Sequence, residues 1–439
     1  MPTEDHQDLR PFAFLRRSVR GAIGALATGA VLVACGTEAP RRPNARAGPS
    51  IGPDAEPLAE NLLDVTPDNQ VATYRNANRL PLATRVVHAD PDRATPLPRN
   101  KTSLNGLRYT YNGTQSTIDE YVTENRVTGL LVLKDGRIAY EQYGMGNVET
   151  TLWTNFSIAK SFTATLTGIA LEDGAIGSLD DSVEKYVPEL VESAYKDNTI
   201  RQLLQMRSGI KWDEDHYFGT GNSDIARFSQ GMYYNQPNAV MNLVRTRPRA
   251  AAPGSVFYYS TADAYILGAA VIGATGKPMS DYLSERIWRP FGMESDGYWI
   301  LDAEGGREMG GNGISATLRD HGRFGQFILG GGDGVLPKGW RDEAGKPESP
   351  LTDYGRVSSG SRVGYGYMWR AIPAGMAGAS GLAPTFYAGG TGGQKLYINP
   401  AERVVAVLFA AWDENNLDDY RNKRDKFWAV IDAAVKALR

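Results

Sequence analysis

The chain has 439 residues, 42% hydrophobic and 22% charged, with a formal net charge of -3 at pH 7. That is the composition of a globular protein with a large core and room for about two or three domains, and it excludes the disordered and fibrous classes. No basic block lies outside the N-terminal segment, which argues against nucleic acid as a partner, and the histidines at 6, 88, 216 and 321 fall in no metal-ligand spacing, so neither a metal nor another cofactor is expected.

The first recognisable element precedes the fold. Arg10, Arg16, Arg17 and Arg20 lead into the apolar run GAIGALATGAVLVA at 21–34, the charged and apolar regions of a secretory signal. The run is too short to span a membrane comfortably. It ends in Leu32-Val33-Ala34-Cys35-Gly36, which resembles the bacterial lipobox, whose cysteine is lipidated and becomes the mature N-terminus. An ordinary signal peptide with a chance cysteine is the alternative, and Arg16-Arg17 also admits a twin-arginine reading with poor flanks. The lipoprotein reading is preferred because the one thiol of the chain sits where the lipobox demands it. The expectation is a signal peptide over 1–35 and a protein lipid-anchored at Cys35 to a bacterial envelope membrane, on its periplasmic or extracellular face. With no second cysteine the exported domain has no disulfide and relies on its core.

Residues 36–57 are rich in Pro, Ala, Gly and Arg and read as a tether. Residues 58–104, with many Pro and Asp, read as an irregular extension laid on a domain that occupies 105–439. Gly129-Leu-Leu-Val-Leu133 and Arg137-Ile-Ala-Tyr-Glu141, joined around Asp135-Gly136, predict a hairpin. Phe162, Leu166 and Ile169 recur at helical spacing after Ser157, with Gly174 as a stop. Thr199-Ile-Arg-Gln202 is a capping box for a short helix. Gln394–Ile398 and Arg403–Phe409 predict a second hairpin, and a helix over 421–439 closes the chain. The order implies an α/β (α+β) fold: an antiparallel sheet flanked by helices, with a mainly helical subdomain inserted.

The chemistry starts at Ser157-Ile-Ala-Lys160. A serine hydroxyl is a poor nucleophile without a base in hydrogen-bonding reach, and residues three apart share a helix face. A serine cap followed by a surface lysine explains the same residues, and the pattern alone does not choose between the two. Two further stretches bear on it. In Pro253-Gly-Ser-Val-Phe-Tyr-Tyr259-Ser260-Thr261 a turn delivers Tyr259 just ahead of an apolar helix. In Tyr387-Ala-Gly389-Gly390-Thr391-Gly-Gly-Gln394 glycines permit the close backbone approach that an oxyanion donor needs.

These motifs, in this order, resemble the serine β-lactamase, DD-peptidase and esterase superfamily, on its class C side. Trp153 with Ser157-Ile-Ala-Lys-Ser161, Met206-Arg-Ser-Gly-Ile210 with Trp212-Asp-Glu214, and Gly389-Gly-Thr-Gly-Gly-Gln394 are similar to its 6-aminohexanoate-dimer hydrolase branch. The resemblance implies that Ser157 is the nucleophile, Lys160 its base and Tyr259 the proton shuttle. It implies an oxyanion hole from the Ser157 and Thr391 amides, with Gly389 and Gly390 beside the substrate. Tyr217 matches the branch's substrate-contacting loop tyrosine, with the spacing off by about one residue; a packed loop tyrosine explains it equally.

Two departures stand out. The superfamily's Tyr-x-Asn is here Tyr259-Ser260-Thr261, and its strand lysine is replaced by Ala388, or by Gly390 in the other register. That lysine meets the carboxylate of a β-lactam or peptide terminus, so its loss counts against both, unless Arg370 or Lys395 substitutes. His216 and His321 sit in no Ser-His-Asp context and read as surface or packed residues, and the aromatics of 364–369 read as core. The expected function is a serine hydrolase acting through an acyl-enzyme on a small ester or linear amide. The alternatives are a DD-peptidase or β-lactamase, and a non-hydrolytic acylated sensor or cell-wall module, against which the retained Tyr259 argues. The oligomeric state is not legible.

Overall fold

The structure, a computed structural model, describes residues 58–214, 222–346, 364–372 and 385–439. In chain order, α1 is Gln70–Arg75, β1 Thr84–Val87, β2 Arg108–Tyr111, β3 Thr114–Thr117, α2 Ile118–Glu124, β4 Val127–Lys134, β5 Arg137–Tyr143 and β6 Trp153–Thr154. Then follow α3 Ala159–Glu172, α4 Ile200–Leu204, α5 Asp224–Tyr233, α6 Ala239–Arg245, α7 Thr261–Thr275 and α8 Met279–Leu283. The remainder comprises β7 Gly297–Ile300, β8 Ile314–Ala316, α9 Leu318–Leu329, α10 Trp340–Ala344, β9 Gly364–Tyr365, β10 Arg370–Ile372, β11 Thr385–Gly389, β12 Lys395–Asn399, β13 Val404–Ala410 and α11 Leu417–Ala437.

The main sheet is antiparallel, in the order β5-β4-β13-β12-β11-β10-β9. Both of its faces are covered, so β4 and β13 are apolar without a polar face. Side chains alternate between two cores because successive Cβ atoms point to opposite faces. Leu131, Leu133, Leu396, Val405 and Val407 join the core that contains Phe324 of α9. Leu130, Val132, Tyr397, Ala406 and Leu408 face the core that holds Tyr121 of α2 and Phe427 and Ile431 of α11. Helix α9 lies close on the sheet because Gly325 has no side chain: a Cβ there would stand 2.5 Å from Val405 Cγ1. Both expected hairpins form, as β4–β5 and β12–β13, and Thr199 and Gln202 make the expected capping box at α4.

A second sheet, β1-β7-β8-β6, brings in the N-terminal stretch. Residues 58–104 are therefore more ordered than the proline-rich sequence suggests. They contribute α1 and the edge strand β1, and bury Leu62, Val71, Tyr74 and Val87 in the larger core. In that sheet β6 pairs with β8 and runs straight into the turn that carries Ser157.

Candidate active site

Ser157 lies in a short 3-10 turn, Phe156–Ile158, that feeds α3. The residue before it, Phe156, has φ +47°, a left-handed conformation that a bulky side chain rarely adopts. Its ring is held by Tyr74 of α1, with centroids 4.7 Å apart, and Tyr74 also packs edge-on to Trp153 at 5.7 Å. Strain at this turn is thus offset by aromatic packing from the N-terminal stretch.

One helical turn on, Lys160 is buried, with 1% of its surface exposed. Its Nζ lies 3.1 Å from Ser157 Oγ, 2.9 Å from Thr261 Oγ1 and 2.8 Å from the Gly311 carbonyl oxygen. It also stands 4.9 Å from the centroid of the Tyr259 ring. Ser260 caps α7 by accepting from the Asp263 amide. That cap turns Tyr259 and Thr261, its neighbours on either side, toward Lys160. Gly311 is glycine for want of space, since a Cβ there would lie 2.9 Å from Thr261 Cγ2. Thr261 in turn donates its hydroxyl to Glu214 Oε1, and its amide donates to Glu214 Oε2 at 3.0 Å. The surface-lysine alternative for Lys160 fails on this burial and bonding.

The glycine-rich segment closes the other side. Gly390 approaches so near that a Cβ would lie 2.3 Å from the Asn155 carbonyl oxygen. Ser157 and Thr391 each lie in the first positions of a 3-10 turn, Phe156–Ile158 and Thr391–Gly393, where the backbone N–H groups have no partner within the turn and can face an oxyanion. The loop is fixed by Gln394, whose Nε2 donates to Thr391 O at 2.9 Å and Ala410 O at 2.8 Å, while its Oε1 accepts from Trp153 Nε1 at 3.0 Å. Trp153 and Gln394, two residues of the motifs quoted above, are thus one hydrogen-bonded unit.

Ala388 is buried in the core and offers no cation to the cleft. A cation comes instead from the neighbouring strand. Arg370 pairs with Tyr387 across β10–β11, its Cζ lies 5.4 Å from the Tyr259 ring centroid, and a Cβ on Gly389 would be 3.0 Å from its Nη1. Burial works against its charge, but Tyr259, Tyr387, Tyr365 and Tyr420 outweigh that and hold its pKa above the usual value. No carboxylate among the described residues forms an ion pair with it. Lys395 stands opposite Gly389 in the β11–β12 register and near Arg370, but among the described residues its Nζ bonds only to the Gly393 and Gln394 carbonyls, at 3.3 and 3.2 Å, beside Trp412.

His321 is packed, not catalytic. Its Nδ1 must donate to Thr317 O at 3.0 Å, which leaves Nε2 to accept from Asn155 Nδ2 at 3.1 Å. Burial lowers its pKa to about 4, so it stays neutral and props the residue before Phe156. The aromatics of 364–369 are buried as expected, and Tyr365 meets Tyr259 edge-on at 6.2 Å. Cys35, Tyr217 and His216 lie outside the described residues.

The sequence pattern of the family described as Beta-lactamase matches residues 114–427. The chain belongs to the Beta-lactamase family. It is a serine hydrolase fold, and the relatives narrow the neighbourhood. A 6-aminohexanoate-dimer hydrolase from Paenarthrobacter ureafaciens is 26% identical over 91% of this chain and 97% of its own length. Esterase EstB of Burkholderia gladioli is 28% identical over 43% of this chain and 52% of its own. Among solved structures, a candidate 6-aminohexanoate-dimer hydrolase from Bacillus anthracis superposes with a TM-score of 0.70 at 24% identity, covering 84% of this chain and 96% of that one. Within this Beta-lactamase fold, Thr261, Glu214, Gly311 and Arg370 are the site residues that sequence reading passed over or left open. Thr261 was visible only as a departure from Tyr-x-Asn, and Glu214 only as part of a motif.

Proposed function

We propose that this protein hydrolyses small esters or linear amides through an acyl-enzyme on Ser157. The observation that carries the reading is the Lys160 Nζ, 3.1 Å from Ser157 Oγ, with the Tyr259 ring beside it. In the proposed cycle Lys160 takes the hydroxyl proton as Ser157 Oγ bonds to the substrate carbonyl carbon. The Ser157 and Thr391 amides hold the resulting oxyanion. Tyr259 passes the proton to the departing amine or alcohol as its bond to carbon breaks, and water then releases the acid by the reverse sequence. Similarity to the Paenarthrobacter hydrolase along nearly its whole length supports a linear amide, and the partial likeness to an esterase supports esters. The test is a fluorophosphonate label followed by peptide mapping, with hydrolysis of p-nitrophenyl esters and linear ω-amino amides measured alongside. The label is expected on Ser157; a label on Ser161 or Ser208 ends the mechanism.

A second reading, DD-peptidase or β-lactamase activity, is favoured by one observation, the Arg370 guanidinium over Gly389. Turnover of a chromogenic cephalosporin at a rate rivalling the esters would select it. We also propose that Cys35 carries a lipid anchor, on the strength of the lipobox-like Leu32–Gly36. Metabolic labelling with a fatty-acid analogue is expected to mark the wild type and not Cys35→Ser.

A further inference from the structure

We propose that Glu214 and Thr261 are positioning residues that aim the lone pair of Lys160 at Ser157. The inference rests on the reading of Lys160 as base and says how the fold makes it one.

A neutral lysine amine has two N–H groups and one lone pair, and three neighbours surround this one: Ser157 Oγ, Thr261 Oγ1 and Gly311 O. Gly311 O can only accept, so it takes one N–H. Thr261 is ambiguous by itself, because a hydroxyl both donates and accepts. Glu214 removes the ambiguity. Its carboxylate accepts the Thr261 hydroxyl proton on Oε1, while Oε2 accepts from the Thr261 amide and from Trp212 Nε1. With its proton committed to Glu214, Thr261 Oγ1 presents only lone pairs to Lys160 and takes the second N–H. The remaining direction on Nζ is the lone pair, and Ser157 Oγ–H is the group that faces it. After transfer the new N–H points back along the same line, ready to return the proton.

The arrangement needs a carboxylate at 214. A glutamine there would keep its carbonyl toward the two N–H donors, the Thr261 amide and the Trp212 indole. Its NH2 would then face Thr261 Oγ1, which would turn the threonine proton toward Lys160 and occupy the lone pair. Both positions lie within the motifs, yet the job of Glu214 appears only when the loop at 212–214 meets the start of α7.

The experiment measures the pre-steady-state acylation rate with a p-nitrophenyl ester in full-length protein, with thermal melting to verify folding. Glu214→Gln and Thr261→Val are each expected to slow acylation by about 10²-fold with little change in KM, the size of a misdirected general base. The double variant is expected to be no slower than the worse single one, because both act through the same hydroxyl. Thr261→Ser, which keeps the hydroxyl, and Glu214→Asp are expected to recover much of the rate. Multiplicative losses in the double variant, or Glu214→Gln within about threefold of wild type, overturn the proposal. If Glu214→Gln does not fold, Thr261→Val against Thr261→Ser decides it: equal rates for the two sink the hydroxyl's role. Lys160→Ala separates this from the parent reading, since fast acylation without Lys160 removes the base itself whatever Glu214 does.

Discussion

Lys160 and Lys395 are the two most deeply buried lysines among the described residues, and their surroundings differ in the way that matters for chemistry. Lys160 is 1% exposed and Lys395 4%. Around Lys160 three oxygens stand within 3.1 Å, one of them the hydroxyl of Ser157 and another tied to a carboxylate. Around Lys395 there are two carbonyls at 3.2 and 3.3 Å and an indole ring. Burial first, and then the nearby Arg370 and Arg424 charges, push the Lys395 ammonium down to about 7, with Glu414 opposing. The environment thus shifts Lys395, whose Nζ reaches carbonyls, while placement sets Lys160 against the Ser157 hydroxyl. Burial can leave an amine unprotonated near neutral pH, but only placement gives it a proton to take.

The sharpest way to break this comparison is to remove each amine in turn. Lys160→Ala and Tyr259→Phe are each expected to lower kcat for an ester by about 10²–10⁴-fold without loss of fold. Lys160→Arg should fail as well, because the guanidinium keeps its proton. Lys395→Met should keep turnover within a few-fold of wild type; a loss as large as that of Lys160→Ala would place Lys395 in the cycle and collapse the distinction. Stopped-flow assays on one p-nitrophenyl ester read all four.

Arg370 comes next in size. Arg370→Ala is expected to reduce kcat/KM for a carboxylate-bearing ester by about tenfold more than for its neutral analogue, or ~1.4 kcal/mol of differential transition-state binding. An unchanged ratio would mean that the guanidinium serves only to pack Tyr259.

The smallest effect is on stability. The folded-state pKa of Lys395 lies near 7 against an ordinary 10.5, so the unfolded chain holds the proton more tightly between those values. The cost of burying the charge is therefore full at and below pH 7 and fades as pH rises toward 10.5. Lys395→Met is expected to raise stability at pH 7 by on the order of 1 kcal/mol, with the gain shrinking by pH 10. A gain that is flat with pH would show that packing, not charge, is responsible.

Much of this was legible in the chain itself. The hairpins, the capping box at α4 and the helix after Ser157 are local, set by side-chain period, turn residues and caps acting over a few positions. The Ser157–Lys160 pair is local too, since one helical turn brings the two together. The tertiary structure decided the rest, because it concerns groups far apart in sequence. Ala388 looked like a missing cation, yet the guanidinium against Gly389 belongs to Arg370, one strand over, where register alone determines what is opposite. Residues 58–104 looked irregular, yet Tyr74 supports the strained Phe156, a contact that only packing could reveal. Thr261 looked like a lapse from an asparagine motif. Its meaning depends on Glu214 accepting its proton from a loop 47 positions away, and a hydrogen bond of that kind leaves no periodic trace in sequence.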